Sequence, residues 1–528
     1  MRADLLIEEV TIVDGTGQPC FSGYVAVKDD TIVKVGSGVP SGMSARQTYC
    51  FPECLLCPGF IDIHGHSDLA LLHEPAVVYK LAQGVTTEVI GNCGLTVAPL
   101  SGEERQEWVD YLGYLLGDYP VPWCWDSFDA YLEKVEAAGP GVNVVPLVGH
   151  CAIRAAVMGF CKRQPSAGEM QLMKQLLTEA MERGVFGVSF GLGYPPGGWA
   201  DQQEMEELAS VVATYDGVCT VHMRNYSRAL SQAVNEVLNV GRNTGCRMQI
   251  SHFQAGGRDN WGTVDFPLAD IARARDAGQK VLIDMYPYCG GSGYLSAFLP
   301  LDLWEGGPSV AWKRLADPRV VGWLRQELSG IDWSIVTIRG VRSDWGRDFM
   351  NCSIEEVADR LKCDPVSAMA RLLVAERGKV LITALGNVAE ADLRQTLISD
   401  FCAVCSDGLP AREALPHPRT YGAFSRFISR YVFGERLVSV EEGVRRCCSL
   451  AADQFGLVDR GRIAEGAKAD LVVIDPGTID EGATHEEPLK YPQGFRLVVV
   501  NGQVVIEDGK LKPIRAGRVL RRAVKKCR

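Results

Sequence analysis

The sequence predicts an α/β chain: a (β/α)8 TIM-like barrel with a small β-sandwich domain built from both chain ends. Three observations carry this. Short apolar runs alternate with helical stretches through the middle of the chain, the order that builds a parallel sheet. Regions of period-two alternation stand at the two ends. Histidines, a cysteine and an aspartate fall at the ends of several apolar runs, where a barrel delivers side chains to one face.

Residues 1–57 alternate apolar and polar side chains between turn signals, as in LLIEEVTIVDG and YVAVKDDTIVKVGSG, which predicts β-structure. From about residue 460 the pattern returns in GRIAEGAKADLVVIDPG and FRLVVVNGQVVIEDGK. Residues 1–57 and 450–528 are therefore expected to pair into one sandwich, with the barrel (58–449) between them. Barrel strands are predicted at 59–63, 85–91, 142–148, 185–190, 218–222, 247–251, 280–286 and 401–406, with helices such as 168–183 and 202–215 between them. Eight strands with helical crossovers fit a closed barrel better than an open sheet. The last two strands lie more than 110 residues apart, far more than a crossover needs. The segment at about 290–398 is expected to be an insertion that covers the active-site mouth.

The chain has 528 residues, enough for a large core and more than one domain. A formal charge of −11 argues against nucleic-acid or anionic-membrane partners, which call for a basic face. No run approaches the ~18 apolar residues that span a bilayer, and the N-terminus lacks signal-peptide features. The 18 cysteines are scattered and read as mostly reduced, so a cytoplasmic location is expected. The basic stretch 515–528, with Arg521, Arg522, Lys525, Lys526 and Arg528, reads as a solvated or frayed terminus. The state of assembly is left open.

Four of the eight histidines carry the chemistry. His64-Gly65-His66 follows the apolar run of PGFIDIHGHSD. On an extended strand residues i and i+2 point to one side, so two imidazoles can converge on one cation with Gly65 giving space. Cys93 closes GVTTEVIGNCG; its thiolate suits zinc, against the plainer reading of a small buried apolar residue. His222 ends GVCTVH and His252 follows CRMQIS, one barrel unit later. A lone histidine there is more often a satisfied core residue, but two in successive units favour ligation. Cys93, His222 and His252 make three ligands and leave a fourth position for water or substrate, as catalytic zinc requires. Asp407, in CAVCSDGLP, could take a proton from zinc-bound water and hand it to a leaving nitrogen. Ser-Asp-Gly is also an ordinary turn.

With these segments, and with LVGHCAIR, FGLGYPPG, MYPYCGG and HPRTYGAFSRF, the chain resembles the N-acyl-D-amino-acid deacylases (D-aminoacylases) of the amidohydrolase superfamily over nearly its whole length. The resemblance implies a tight zinc on Cys93, His222 and His252, with a weaker second metal position at His64 and His66. It implies Asp407 as general base and acid, and Arg419 as the grip on a substrate carboxylate, a task that suits a bidentate guanidinium. Tyr194, Tyr286 or Tyr288, and Ser292 would line the pocket. Two positions depart from the family pattern. Gln254 stands where a lysine is usual, and Tyr226 where an acidic residue is frequent; both are expected to face the pocket and to alter what it pairs with.

His150 could polarise a carbonyl or contact substrate, or only pack. His417 is expected to orient the loop that carries Arg419, and His73 and His485 read as ordinary. The pairs Cys54/Cys57 and Cys402/Cys405 straddle apolar strand residues, so each pair faces opposite sides and should not chelate. The predicted function is zinc-dependent hydrolysis of a linear amide, N-acyl-D-amino acid to carboxylate plus D-amino acid. The alternatives are a cyclic amide hydrolase acting on a lactam, imide or hydantoin-like ring, and a non-catalytic barrel scaffold. The fourth predicted strand has no lysine to bridge two metals, which disfavours the hydantoinase arrangement.

Overall fold

In the computed structural model, which describes residues 2–100, 102 and 105–523, eight parallel strand units form the barrel. They are β1 (Phe60–Asp62), β2 (Val85–Ile90), β3 (Asn143–Pro146, continuing as Val148–Gly149), β4 (Gly187–Gly191), β5 (Val218–His222), β6 (Arg247–Ile250), β7 (Val281–Met285) and β8 (Cys402–Val404). β1, β2 and the first half of β3 pair in one sheet; the second half of β3 continues through β4 to β8. The seam between β8 and β1 closes just beyond the strand ends. There Gly65 and Gly408 form a parallel bridge, and the Asp407 amide donates to the His64 carbonyl at 2.8 Å. The closing contact thus carries candidate site residues on both sides.

Helices cover the outside of the barrel, so its strands are buried on both faces and read as continuous apolar runs; β7 is buried throughout. The crossover helices start on side-chain caps. Ser166 and Glu169 form a capping box at Ala167–Glu182, and Asp201 caps Gln202–Ala213.

The two chain ends share one nine-stranded sheet. They meet where Leu55–Pro58 pairs antiparallel with Leu471–Ile474. Along the first strand, Leu5 and Ile7 face one apolar cluster and Leu6 the other, as period-two alternation demands. Two sequence expectations are corrected here. Residues 450–455, assigned to the sandwich, lie in the helix Ser449–Phe455, whose Ala451 and Phe455 pack into the barrel's apolar core. The basic tail is docked rather than frayed over its described part. Val144 of β3 donates to the Arg518 carbonyl and accepts from the Leu520 amide. Arg518 pairs with Asp30, Arg521 with Asp129 and Glu136, and Arg522 with Asp216. Lys525, Lys526 and Arg528 lie outside the described residues.

Between β7 and β8, Gly291–Tyr294, Val336–Gly340 and Leu381–Ala384 form a three-stranded antiparallel sheet with helices around it. Its apolar side chains join the barrel's core. Among the described residues no helix is long and apolar enough to cross a membrane.

Candidate metal centre and cavity

The side chains at the barrel mouth crowd into one buried cluster. Cys93 Sγ lies 3.3 Å from His64 Nε2 and 3.6 Å from His252 Nε2, and His222 Nδ1 lies 2.9 Å from His252 Nε2. His64 Nε2 and His66 Nε2 stand 3.5 and 3.2 Å from one Asp407 carboxylate oxygen. The other oxygen accepts from Arg419 Nη1 at 2.9 Å. His64 therefore belongs to two groups of donors, one with Cys93 and His252 and one with His66 and Asp407. A thiol, imidazoles and a carboxylate with ligand atoms this close form the donor set that zinc takes. The residues fit the metal.

Backbone geometry brings them together. Cys93 (φ 57°), His252 (φ 36°) and Asp407 (φ 44°) all adopt the left-handed region, which few residues other than glycine enter and which is frequent at functional sites. Each turns the chain sharply at the end of a barrel unit. Gly65 leaves room for Glu88: a Cβ there would stand 1.9 Å from Glu88 Oε1.

The electrostatics match a cation site. Burial pushes the Cys93 thiol up, but His64, His222 and His252 together hold it well below the ordinary thiol range. Burial also raises the Asp407 carboxyl, yet Arg419, His64 and His66 hold it well below the usual carboxylate range. For His66 burial opposes the charge, while Asp407 and Cys93 move it up to about 9. His222 is lowered, chiefly by burial.

A layer of supporting residues was not foreseen from the sequence. Asp284 on β7 accepts from the His252 amide at 2.7 Å and from Gln249 Nε2 at 2.6 Å, and lies 3.2 Å from His64 Nδ1. It fixes the orientation of one imidazole and the backbone of another, as partners of metal-binding histidines do. Lys80 Nζ lies 2.5 Å from Asp62, 3.0 Å from Glu88 and 2.9 Å from Ser406 Oγ, fully buried. Asp62 accepts from the Ser406 amide and hydroxyl, and Glu88 from Ser67 Oγ. Lys80 thus joins the loop that carries Asp407 to the loop that carries His64 and His66. A lone charged residue inside an apolar run, as in VLIDM, VTTEVI and VVYKLA, was the available signal.

The cluster closes one end of a cavity of about 250 Å³. Tyr194, Tyr226, Gln254, Tyr286, Ser292 and Arg419 line it, so both positions that depart from the family pattern face the cavity. Arg419 starts the helix Arg419–Arg426; its amide is bonded to His417 Nδ1 at 3.1 Å and its guanidinium lies 4.4 Å from the Tyr286 ring centroid. Two residues offered as pocket candidates lie outside the cavity's lining. His150 begins the helix His150–Met158, and that turn aims its ring at Glu204, 2.7 Å away, and at Phe190. Tyr288 packs against His417 and under the Arg426 guanidinium, behind the cavity. His485, read as ordinary, also meets His417 edge to face, with centroids 4.9 Å apart. Cys405 turns to Asp284 at 3.2 Å, and both CxxC pairs are free thiols.

Comparison with known proteins gives the following. The Amidohydrolase family model matches residues 352–506. The N-acyl-D-glutamate deacylase of Alcaligenes xylosoxydans xylosoxydans is 36% identical over 526 residues, covering 99% of this chain and 97% of that protein. The D-aminoacylase of the same organism is 32% identical over 523 residues, covering 98% of each. The crystal structure of the N-acyl-D-glutamate deacylase from Bordetella bronchiseptica superimposes with a TM-score of 0.83 at 33% identity, covering 99% of this chain and all of that one. It was determined with zinc and a phosphonate inhibitor that mimics the tetrahedral intermediate.

Proposed function

Since the chain belongs to the N-acyl-D-amino-acid deacylases of the amidohydrolase family, we propose that it hydrolyses an N-acyl-D-amino acid to a carboxylate and a free D-amino acid. The observation that carries this is the meeting of Cys93, His64, His66, His222 and His252 with Asp407 and Arg419 at one end of a single cavity. Cys93, His222 and His252 would hold the tighter zinc ion, and His64 and His66 would offer a second, weaker position. Zinc bound there supplies a Lewis acid for the acyl carbonyl and lowers the pKa of water toward ~7.

The remaining work falls to the chain's own groups. The Arg419 guanidinium binds the α-carboxylate of the substrate and sets the amide over the donor cluster. The Asp407 carboxylate takes a proton from the attacking water. The water oxygen forms the new bond to the acyl carbon, the C–N bond breaks, and Asp407 passes its proton to the departing nitrogen. Asp284 and the Lys80 network hold the histidines and Asp407 in register, so little reorganisation is needed during the reaction. Ring opening of a cyclic amide is the less supported reading, because β4 (GVSFG) offers no lysine to bridge two metals. We also place the enzyme in the reducing cytoplasm, a proposal supported by its free thiols.

The test is hydrolysis of N-acetyl-D- and N-acetyl-L-amino acids by the zinc-loaded chain, with metal content measured in parallel. D-selective release of acetate, lost together with zinc in Cys93→Ala, supports the reading. Hydrolysis confined to hydantoins or dihydropyrimidines, or zinc retained in full by Cys93→Ala, would overturn it.

A further inference from the structure

We infer that this deacylase acts on N-acyl-D-amino acids with neutral, apolar side chains and rejects the acidic ones named for its D-glutamate relatives. The inference rests on the deacylase reading and adds the substrate class. Its basis is the count of cations around the cavity. Among the described residues that line it, Arg419 is the one arginine or lysine. An N-acyl-D-glutamate carries two carboxylates. The α-carboxylate occupies Arg419, and the second would have to lie against the rest of the wall.

Much of that wall is apolar, and its polar members, such as Gln254 and Asn387, are uncharged. The insertion contributes Phe298, Leu299, Trp304 and Ile382, and the helix Arg105–Leu115 with its following turn contributes Leu115 and Leu116. Three of the hydroxyls nearby are already committed. Tyr294 Oη donates to the carbonyls of Leu115 at 2.5 Å and Tyr114 at 3.0 Å, so its ring faces the cavity as an apolar surface. Ser292 Oγ donates to the Ile382 carbonyl at 2.9 Å, and Tyr226 Oη to the Ser251 carbonyl at 3.0 Å. Gln254, where the family pattern has a lysine, adds no charge. A second carboxylate would lose its hydration and gain no counter-ion, which strongly disfavours binding. A leucine, methionine or phenylalanine side chain would gain burial on the same surface.

The test compares kcat/KM of the zinc-loaded full-length enzyme for N-acetyl-D-leucine, N-acetyl-D-phenylalanine, N-acetyl-D-glutamate and N-acetyl-D-aspartate. The apolar substrates are expected to lead by on the order of a hundredfold or more. Leu299→Arg, which sets a cation in the apolar wall, should narrow that ratio at least tenfold in favour of N-acetyl-D-glutamate. Equal or better turnover of the acidic substrates by the unmodified enzyme overturns the inference and leaves the deacylase reading intact. No turnover of any N-acetyl-D-amino acid overturns both.

Discussion

Replacing Lys80 by methionine should cost the protein both stability and rate. The side chain keeps its length but loses its charge, which leaves the Asp62 and Glu88 carboxylates buried without their shared cation. Burial opposes the charge of Lys80, yet the two carboxylates raise its pKa above the ordinary lysine value, so the ammonium is firmly held. Breaking such a buried pair typically costs about 3–5 kcal/mol. The lower end applies here for two reasons. Ser406 and Ser67 still donate to the carboxylates, and Glu88, already raised by burial, can take up a proton. With the usual unfolding entropy per residue, about 3 kcal/mol lowers Tm by roughly 3 °C in a chain of this size. The loops carrying Asp407 and the His64–His66 pair would also lose their common anchor. We expect kcat to fall about tenfold or more, with a smaller change in KM. Thermal melts of zinc-loaded protein and steady-state kinetics on the preferred N-acetyl-D-amino acid check both parts. A Lys80→Met enzyme with unchanged Tm and kcat would refute the idea that this network positions the site.

Gly65→Ala should displace the Glu88 carboxylate, since the new methyl would stand 1.9 Å from Oε1. Metal titration should show weaker uptake at His64 and His66, and stability should fall by about 1–3 kcal/mol. Arg419→Ala should raise KM far more than it lowers zinc content, because the guanidinium contacts Asp407, not the thiol or the imidazole donors. A zinc-free variant would contradict that assignment. Burial pushes the Asp30 carboxyl up, yet Lys468 and Arg518 together hold it at about 2. Its folded pKa is depressed, so its stabilising contribution is present above pH ~4 and disappears as pH falls toward 2. Asp30→Asn should therefore cost on the order of 1 kcal/mol at neutral pH, after allowing for solvent screening, and almost nothing at pH 2; denaturation midpoints across that range decide it.

Much of the architecture is legible in the sequence because buried parallel strands are uninterrupted apolar runs. The predicted 218–222 strand is Val218–His222 in the fold, and the other barrel strands shift by a residue or two. The residues of the candidate donor cluster are legible because each lies at the end of such a run. His150 shows the limit of that logic. It also follows a strand, but the helix begins at His150 itself and turns the ring away from the mouth. The supporting charges are illegible for another reason. Asp62 and Ser406 are 344 positions apart, and no local periodicity reveals that a lone aspartate in an apolar run has a partner so distant. The docked tail escaped for the same reason: the acids that meet Arg518, Arg521 and Arg522 are spread over three separate segments of the chain.

Cys93, His252 and Asp407 share a left-handed backbone, a conformation that costs of order 1–3 kcal/mol when the residue is not glycine. Selection for heat resistance alone would therefore press on the very positions to which the proposed function assigns the chemistry. A glycine at 93 would relax the turn and remove the thiolate in one step. Laboratory evolution of this protein should yield sturdier but inactive descendants at these three sites, unless every round of screening demands turnover.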